Sequence, residues 1–348
     1  MSAVPGLFDP ARPDGFAHQR TAFLAMLAFF LVAPLVAYPI FLMKVMCFAL
    51  FACAFNLLIG YVGLLSFGHA AFFGSAAYIT AHTVKVWGLP PELGILAGAA
   101  VAALLGTVFG WLAIRRQGIY FAMITLALAQ MVYFVALQAR FTGGEDGIQA
   151  VPRGKLLGVV DLGGTLTMYY FVLAIFLIGF AVIVRAVHSP FGQVIKAIRE
   201  NEPRAVSLGY DADRYKLLAF ILSAGLSGVA GSLKSLVFQL ASLTDVQWTM
   251  SGEVVLMTLV GGLGTVLGPV VGAFFLTAMQ HYFAQLGSWV TVVQGVIFVF
   301  CVLVFRRGIV GVIASYAAAS RNPHGISETA VTGAKPAEAR TAAAPGAP

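Results

Sequence analysis

Between Ala22 and Met43 the chain carries no charged side chain, and comparable apolar runs recur along most of its length. A helix needs roughly 20 apolar residues to cross the hydrocarbon layer. On that rule spans are predicted at 22–43, 45–60, 64–83, 93–113, 119–138, 167–187, 216–237, 250–266, 268–286 and 289–305. Lipid offers no hydrogen bonds to a free backbone, so such runs fold as helices packed together. The expected fold is therefore all-α, a polytopic membrane helix bundle of about 8–10 transmembrane segments. Segments 45–60, 64–83 and 250–266 are short and glycine-rich, which points to broken or re-entrant helices. Composition excludes the soluble alternatives: 10% of residues are charged and 60% hydrophobic, against about 25% charged in a soluble domain. The net charge of +7 does not indicate nucleic-acid binding, because the basic residues lie between apolar runs and not along one face.

Arg12 and Arg20 before the first apolar run resemble the start of a signal peptide. The run is longer than an h-region of about 7–15 residues and no small-residue cleavage site follows, so a retained first span is expected. Of the 21 lysines and arginines, 15 fall on one side of the predicted spans and six on the other (Lys44, Lys85, Arg140, Arg153, Lys155 and, near a span end, Lys234). The richer side is assigned to the cytoplasm, together with both termini. The predicted organisation is an N-terminal segment 1–20, a transmembrane region 21–315 and a disordered Ala/Pro/Gly-rich tail 316–348. An external segment lies at about 139–166 and includes the turn-rich run 142–147. The cytoplasmic loop 188–215 reads as structured: residues 193–202 have apolar positions at helical spacing, and 203–209 fit a second short helix ending on Gly209.

Glycine is the informative residue type. One cluster holds Gly60, Gly63, Gly68 and Gly74, and a second holds Gly261, Gly262, Gly264, Gly268 and Gly272 beside Pro269. Small residues let membrane helices approach closely, and they also permit unwound helices whose backbone lines a solute path. Polar residues inside spans are costly and mark pathways, so Asn56, Ser66, His69, Thr125, Gln130, Lys234, Glu253 and Gln294 are candidates. His69 reads either as a packed, hydrogen-bonded side chain or as a ligand, Glu253 as a helix-start residue or a path residue, and Lys234 as able to snorkel outward. The residues favoured as path-lining are Asn56, Gly60, Ser66, Gly68, His69, Glu253, Gly261, Gly262 and Gly264.

Catalytic constellations and metal-ligand spacings do not occur, and Cys47, Cys53 and Cys301 sit singly in apolar runs. The stretch 228–235 resembles a phosphate loop but lacks the glycine before its lysine and lies in a predicted span. With no nucleotide motif and few carboxylates in the central spans, the energy for any transport is expected from outside the chain, through the basic loop 188–215.

Five separated runs, in order, resemble one known family. They are Phe55–Phe72 (FNLLIGYVGLLSFGHAAF), Gly118–Ala127, Phe141–Gly147, the loop Gly192–Glu202 and Val260–Pro269. The chain is similar over about residues 25–315 to the branched-chain amino acid ABC importer permeases, and most of all to their LivM-type subunit. The resemblance implies an inner-membrane permease that is not itself an enzyme. It also implies a second, related permease, two cytoplasmic ATPase subunits that carry ATP and Mg, and a periplasmic solute-binding protein. Such importers have a cytoplasmic coupling helix with an E-A-A-x-x-x-G motif. Here Ala205 and Gly209 align with it, Pro203 and Arg204 replace its first two residues, and Glu202 lies one position early. Pro190, Gly192, Lys196, Arg199, Glu200, Glu202, Arg204, Ala205 and Gly209 are the residues expected to receive the ATPase stroke. Urea and short-amide permeases share the glycine-rich signatures and remain open as an alternative. A stand-alone channel or secondary carrier is the rival of a different class.

Overall fold

The computed structural model describes residues 26–283 apart from 36, 157 and 159, with isolated positions at 23 and between 292 and 310. The segment 1–20, the span 289–305 with Gln294 and Cys301, and the tail 316–348 lie outside this description or nearly so. The short apolar helix α1 is Met26–Leu35. It is followed by α2 (Pro39–Asn56), α3 (His69–Lys85), α4 (Pro91–Ala113), α5 (Ile119–Gln138), α6 (Thr165–His188), α7 (Pro190–Glu200), α8 (Glu202–Ser207), α9 (Ala212–Phe238), α10 (Trp248–Gly261) and α11 (Gly268–Tyr282). Among the described residues five helices are long and apolar enough to cross a membrane: α2 with its π-helical extension to Val62, α4, α5, α6 and α9. The fold is an all-α polytopic membrane bundle.

The first helix boundary differs from the sequence expectation. The charge of Lys44 suggested a break there, but the chain breaks before Pro39. Tyr38 is extended and Pro39 opens α2, as the backbone constraint before proline and the fit of proline to a first helical turn require. α2 then runs unbroken through Lys44 to Val62, so 45–60 is part of a 24-residue helix and Lys44 lies inside a span. The other short segments are short in the structure too: α10 has 14 residues and is about 21 Å long, against roughly 30 Å of hydrocarbon.

Helix α2 is the pillar of the bundle. Its residues from Val45 to Leu58 are buried almost without exception, against α6, α9, α10 and α11. α3, α4 and α9 pack beside it through small residues: Gly228 of α9 faces Ala102 of α4, and Gly231 lies against the backbone of Phe73 in α3. Close backbone approach of this kind replaces the hydrophobic driving force that lipid removes. Buried hydroxyls add bonds between helices, as in Thr80 to Ser232 (2.8 Å) and the α3 N-terminus, where Ala70 N–H donates to Ser251 Oγ (2.9 Å).

The bundle has two distinct ends. At one, residues 139–164 and 239–247 are joined by a two-residue antiparallel pair, β1 (Ile148–Gln149) with β2 (Leu240–Ala241). Lys85 Nζ donates to the Gln149 carbonyl (2.7 Å) and Arg153 to that of Val237 (3.2 Å). At the other end sit α7 and α8. Exposed Tyr38, Trp87, Trp248 and Tyr282 ring the strand end, and Trp111 and Tyr120 the α7 end. These rings mark the two membrane interfaces. A Cβ built on Gly308 would fall 2.5 Å from the Gly262 nitrogen, so Gly308 lies at the α7 end.

Candidate functional site

The two glycine clusters, some 200 residues apart in sequence, meet at the α7 end through Gly60 and Gly264, while Gly74 lies against Val246 at the strand end. Gly63 N–H bonds to the Leu58 carbonyl five residues back (2.9 Å), which makes the last turn of α2 a π turn, and Gly63 leaves it at φ 85°. Such turns carry carbonyls off the regular ladder. Across from it the α10–α11 turn, residues 262–267, enters at Gly262 with φ 121° and turns again at Gly264 with φ 73°, both in the region glycine favours. Thr265 Oγ1 closes this turn, donating to the Gly262 carbonyl (2.8 Å) and accepting from Gly268 N–H (3.1 Å) at the start of α11.

Asn56 joins the two. Its Oδ1 accepts from Gly264 N–H (3.0 Å) and its Nδ2 donates to the Thr265 carbonyl (2.9 Å), with the side chain 2% exposed. The amide uses both faces to satisfy a loop that lipid could not. Gly60 is glycine for a steric reason: a Cβ there would lie 2.8 Å from Gly264 N.

The third member is α7. Arg199 Nη1 donates to the Gly60 carbonyl, and the same guanidinium lies beside Gly264. One turn earlier, the Lys196 ammonium sits 5.6 Å from the centre of the Tyr61 ring. Partial burial lowers the Lys196 pKa below the ordinary lysine value, since leaving water disfavours the charged form. Local sequence fixes the orientation of α7. Ser189 caps it by accepting from Gly192 N–H (3.3 Å), Pro190 fills its first turn, and Ile195 and Ile198 seat it. Gly192 allows the tight α6–α7 corner, where a Cβ would lie 2.5 Å from the Ala186 carbonyl. Asn201 then caps α8 through Arg204 N–H (3.1 Å), and Ala205 packs under Ile198 and Ala212. Gly209 ends this unit at φ 89°.

Glu202 fastens the unit to the bundle. It accepts from Lys216 Nζ of α9 (2.5 Å) and from Gln117 Nε2 (2.8 Å) between α4 and α5. The Lys216 side chain is 4% exposed. A cavity of about 450 Å³ opens here, lined by Val62, Gly63, Gln117, Gly118, Arg199, Glu202 and Lys216 among others. Arg204, Val206, Leu208 and Tyr210 face outward from α8, while Glu200 is exposed at the end of α7.

The remaining sequence candidates fall into two further places. Ser66, Gly68 and His69 lie where the chain climbs from Gly63 into α3. Ser66 Oγ accepts from Gly68 N–H (3.1 Å), and Thr125 of α5 accepts from Phe67 N–H (3.2 Å). His69 is fully buried, ringed by Phe55, Phe72 and Phe220, with Nε2 2.9 Å from Ser223 Oγ. Ser223 in turn donates to the Ala54 carbonyl (2.6 Å), so this histidine ties α2, α3 and α9 together. Glu253 stands on the strand-end half of α10 and accepts from Gln280 Nε2 of α11 (3.1 Å). Lys234 does not snorkel: it pairs with Asp245 at 2.6 Å, the carboxylate being 2% exposed. The phosphate-loop look-alike 228–235 is ordinary helix within α9. Sequence reasoning missed Gln117, Lys216 and Thr265, whose partners lie in distant elements and leave no local spacing to read.

A family model described as branched-chain amino acid transport system / permease component matches residues 38–302, about three quarters of the chain. The chain belongs to this family. It is similar to the high-affinity branched-chain amino acid transport system permease protein LivM of Escherichia coli (strain K12), 26% identical over 278 residues, covering 72% of this chain and 64% of that one. It is also similar to the probable branched-chain amino acid transport permease protein LivH of Methanocaldococcus jannaschii, 23% identical over 269 residues (70% and 82% of the two chains). A third relative is the ribose import permease protein RbsC of Bacillus subtilis (strain 168), 26% identical over 239 residues (64% and 70%). The chain thus spans just under two thirds of the length of the LivM relative. No solved structure matches.

Proposed function

We propose that this chain forms one half of the translocation pathway of an ATP-driven importer for branched-chain amino acids. One observation carries the reading: the short basic unit α7–α8 is bonded through Arg199 to the junction of both glycine-rich turns. A stroke delivered to α7–α8 would reach the end of α2 and the α10–α11 turn directly. The α7 end is the cytoplasmic one in this reading, as the excess of lysine and arginine on that side supports. Both termini then lie inside. ATP and Mg belong to two partner ATPases docked on the outward face of α8, and the chain has no catalytic role of its own. A second, related permease completes the path, and a periplasmic binding protein delivers solute at the strand end. Asn56, Gly60, Gly261, Gly262 and Gly264 form the inner constriction, which opens when α7 moves.

The test is uptake of labelled leucine in cells deleted for this chain and then restored, with valine, ribose and urea as competitors. Uptake that is lost on deletion, recovers on restoration, yields to valine and needs the ATPase subunits supports the reading. Restored uptake that yields to ribose or urea but not valine would overturn the substrate. Uptake that persists without any ATPase, or follows an ion gradient, would overturn the class.

A further inference from the structure

Three charged side chains lie in the strand-end half of the membrane region, and they are not equivalent. Lys234 of α9 is neutralised by its contact with Asp245. Lys44 of α2 and Glu253 of α10 have no ion-pair contact among the described residues, although each lies within electrostatic reach of the other. Both are partly buried. Counted from Tyr38 and Trp248 at the interface, Lys44 is about 9 Å and Glu253 about 7.5 Å deep at the rise of a helix. Lysine at such a depth ordinarily bends back to the interface. Here the Lys44 ammonium instead lies 5.8 Å from the centre of the Phe48 ring, one turn deeper. Intramembrane charges ordinarily face the bundle interior or a water-filled cavity and not lipid.

Gln280 Nε2 donates to Glu253 Oε2 and holds the carboxylate in place, while Oε1 has no partner among the described residues. The Lys44 ammonium has no hydrogen-bond acceptor there either. An anion and a cation at similar depth on the packed helices α2 and α10, not in ion-pair contact, are complementary to a ligand that carries both charges on one carbon. They offer nothing comparable to a neutral amide or a sugar.

We infer that Lys44 and Glu253 form a subsite for the zwitterionic head of an α-amino acid on its way through the membrane, Lys44 taking the carboxylate and Glu253 the ammonium group. This rests on the reading of the chain as an amino-acid permease and deepens it. The apolar side chain of the solute takes no part in these two contacts, so the subsite makes no demand on its exact shape. Lys234 and Asp245 fix the end of α9 beside the subsite and do not bind.

The test uses the complete transporter assembly, purified without its binding protein, and saturation-transfer NMR with three probes. They are leucine, leucinamide (no carboxylate) and 4-methylpentanoate (no ammonium). Wild type should prefer leucine over each analogue by about tenfold, the order expected for one charge-assisted contact. Lys44→Met should erase the preference over leucinamide and keep that over 4-methylpentanoate; Glu253→Gln should do the reverse. A merely structural role would lower all three signals together, and that outcome, or the absence of any wild-type preference, overturns the subsite. Leucine uptake by the wild-type assembly is measured in parallel. If wild type imports no leucine, the permease reading itself fails; if it does and the probes behave alike, the subsite alone fails.

Discussion

In the proposed importer, replacing Arg199 by alanine should separate ATP hydrolysis from transport. The side chain spans the gap between α7 and the end of α2 and donates to the Gly60 carbonyl. A hydrogen bond from a charged donor is worth about 1.5–3 kcal/mol. Arg199 is exposed along part of its length, so solvent screening brings this to about 1–2 kcal/mol. That is roughly a 5- to 30-fold change in how firmly the junction follows α7. The helix itself should stay seated, because Ile195 and Ile198 are buried beneath it and Glu202 remains paired with Lys216. The assay is leucine uptake and ATP hydrolysis by the assembled importer in proteoliposomes. Leucine moved per ATP should fall about tenfold while hydrolysis continues, and Arg199→Lys should recover part of the loss. Arg204→Ala is the control: Arg204 points away from the bundle, so its loss should lower uptake and hydrolysis together at an unchanged ratio. An Arg199→Ala importer with the wild-type ratio would refute the reasoning.

Other substitutions have outcomes that follow from single contacts. Asn56→Ala leaves Gly264 N–H and the Thr265 carbonyl without partners; a loss of about 2–4 kcal/mol is expected, read as a lower melting temperature with uptake lost. Gly60→Ala places a Cβ 2.8 Å from Gly264 N, and the overpacking, about 1–3 kcal/mol, should reduce uptake with little effect on membrane insertion. Lys234→Met leaves the Asp245 carboxylate, 2% exposed, with the bonds from Ser242 but without its counter-charge, at a cost of about 3–5 kcal/mol; adding Asp245→Asn should return much of the stability measured by thermal unfolding.

The sequence made the membrane bundle legible because the apolar runs answer directly to the thickness of a bilayer. It misplaced the first boundary because the predicted spans were parted at the charge of Lys44 and not at Pro39. A charge inside a span is compatible with the helix when a polar space faces it, whereas Pro39 acts on the backbone whatever surrounds it. The loop 188–215 was readable as two short helices from its apolar spacing, and its caps at Ser189 and Asn201 explain why the helices stop and start where they do. Which of its arginines reaches the bundle was not readable: Arg199 and Arg204 are alike in sequence, and the structure bonds Arg199 to Gly60 and leaves Arg204 exposed on α8. The glycine clusters could be noticed but not paired, since their meeting depends on the course of α2 and α10 through the whole membrane. The polar partners Gln117, Lys216 and Gln280 are single residues, one in the α4–α5 loop and two on separate helices, and no local pattern announces them.

The central claim is that α7 and the α10–α11 turn move as one body when the importer is driven. Spin labels on the exposed positions Ala197 of α7 and Leu263 of the turn, with a third on Val108 of α4, test it by pulsed dipolar distance measurement in the assembled importer, with and without trapped nucleotide. The 197–263 distance should stay constant while 263–108 changes. A constant 263–108 distance with a changing 197–263 distance would mean that α7 slides past the junction, and the account would be wrong.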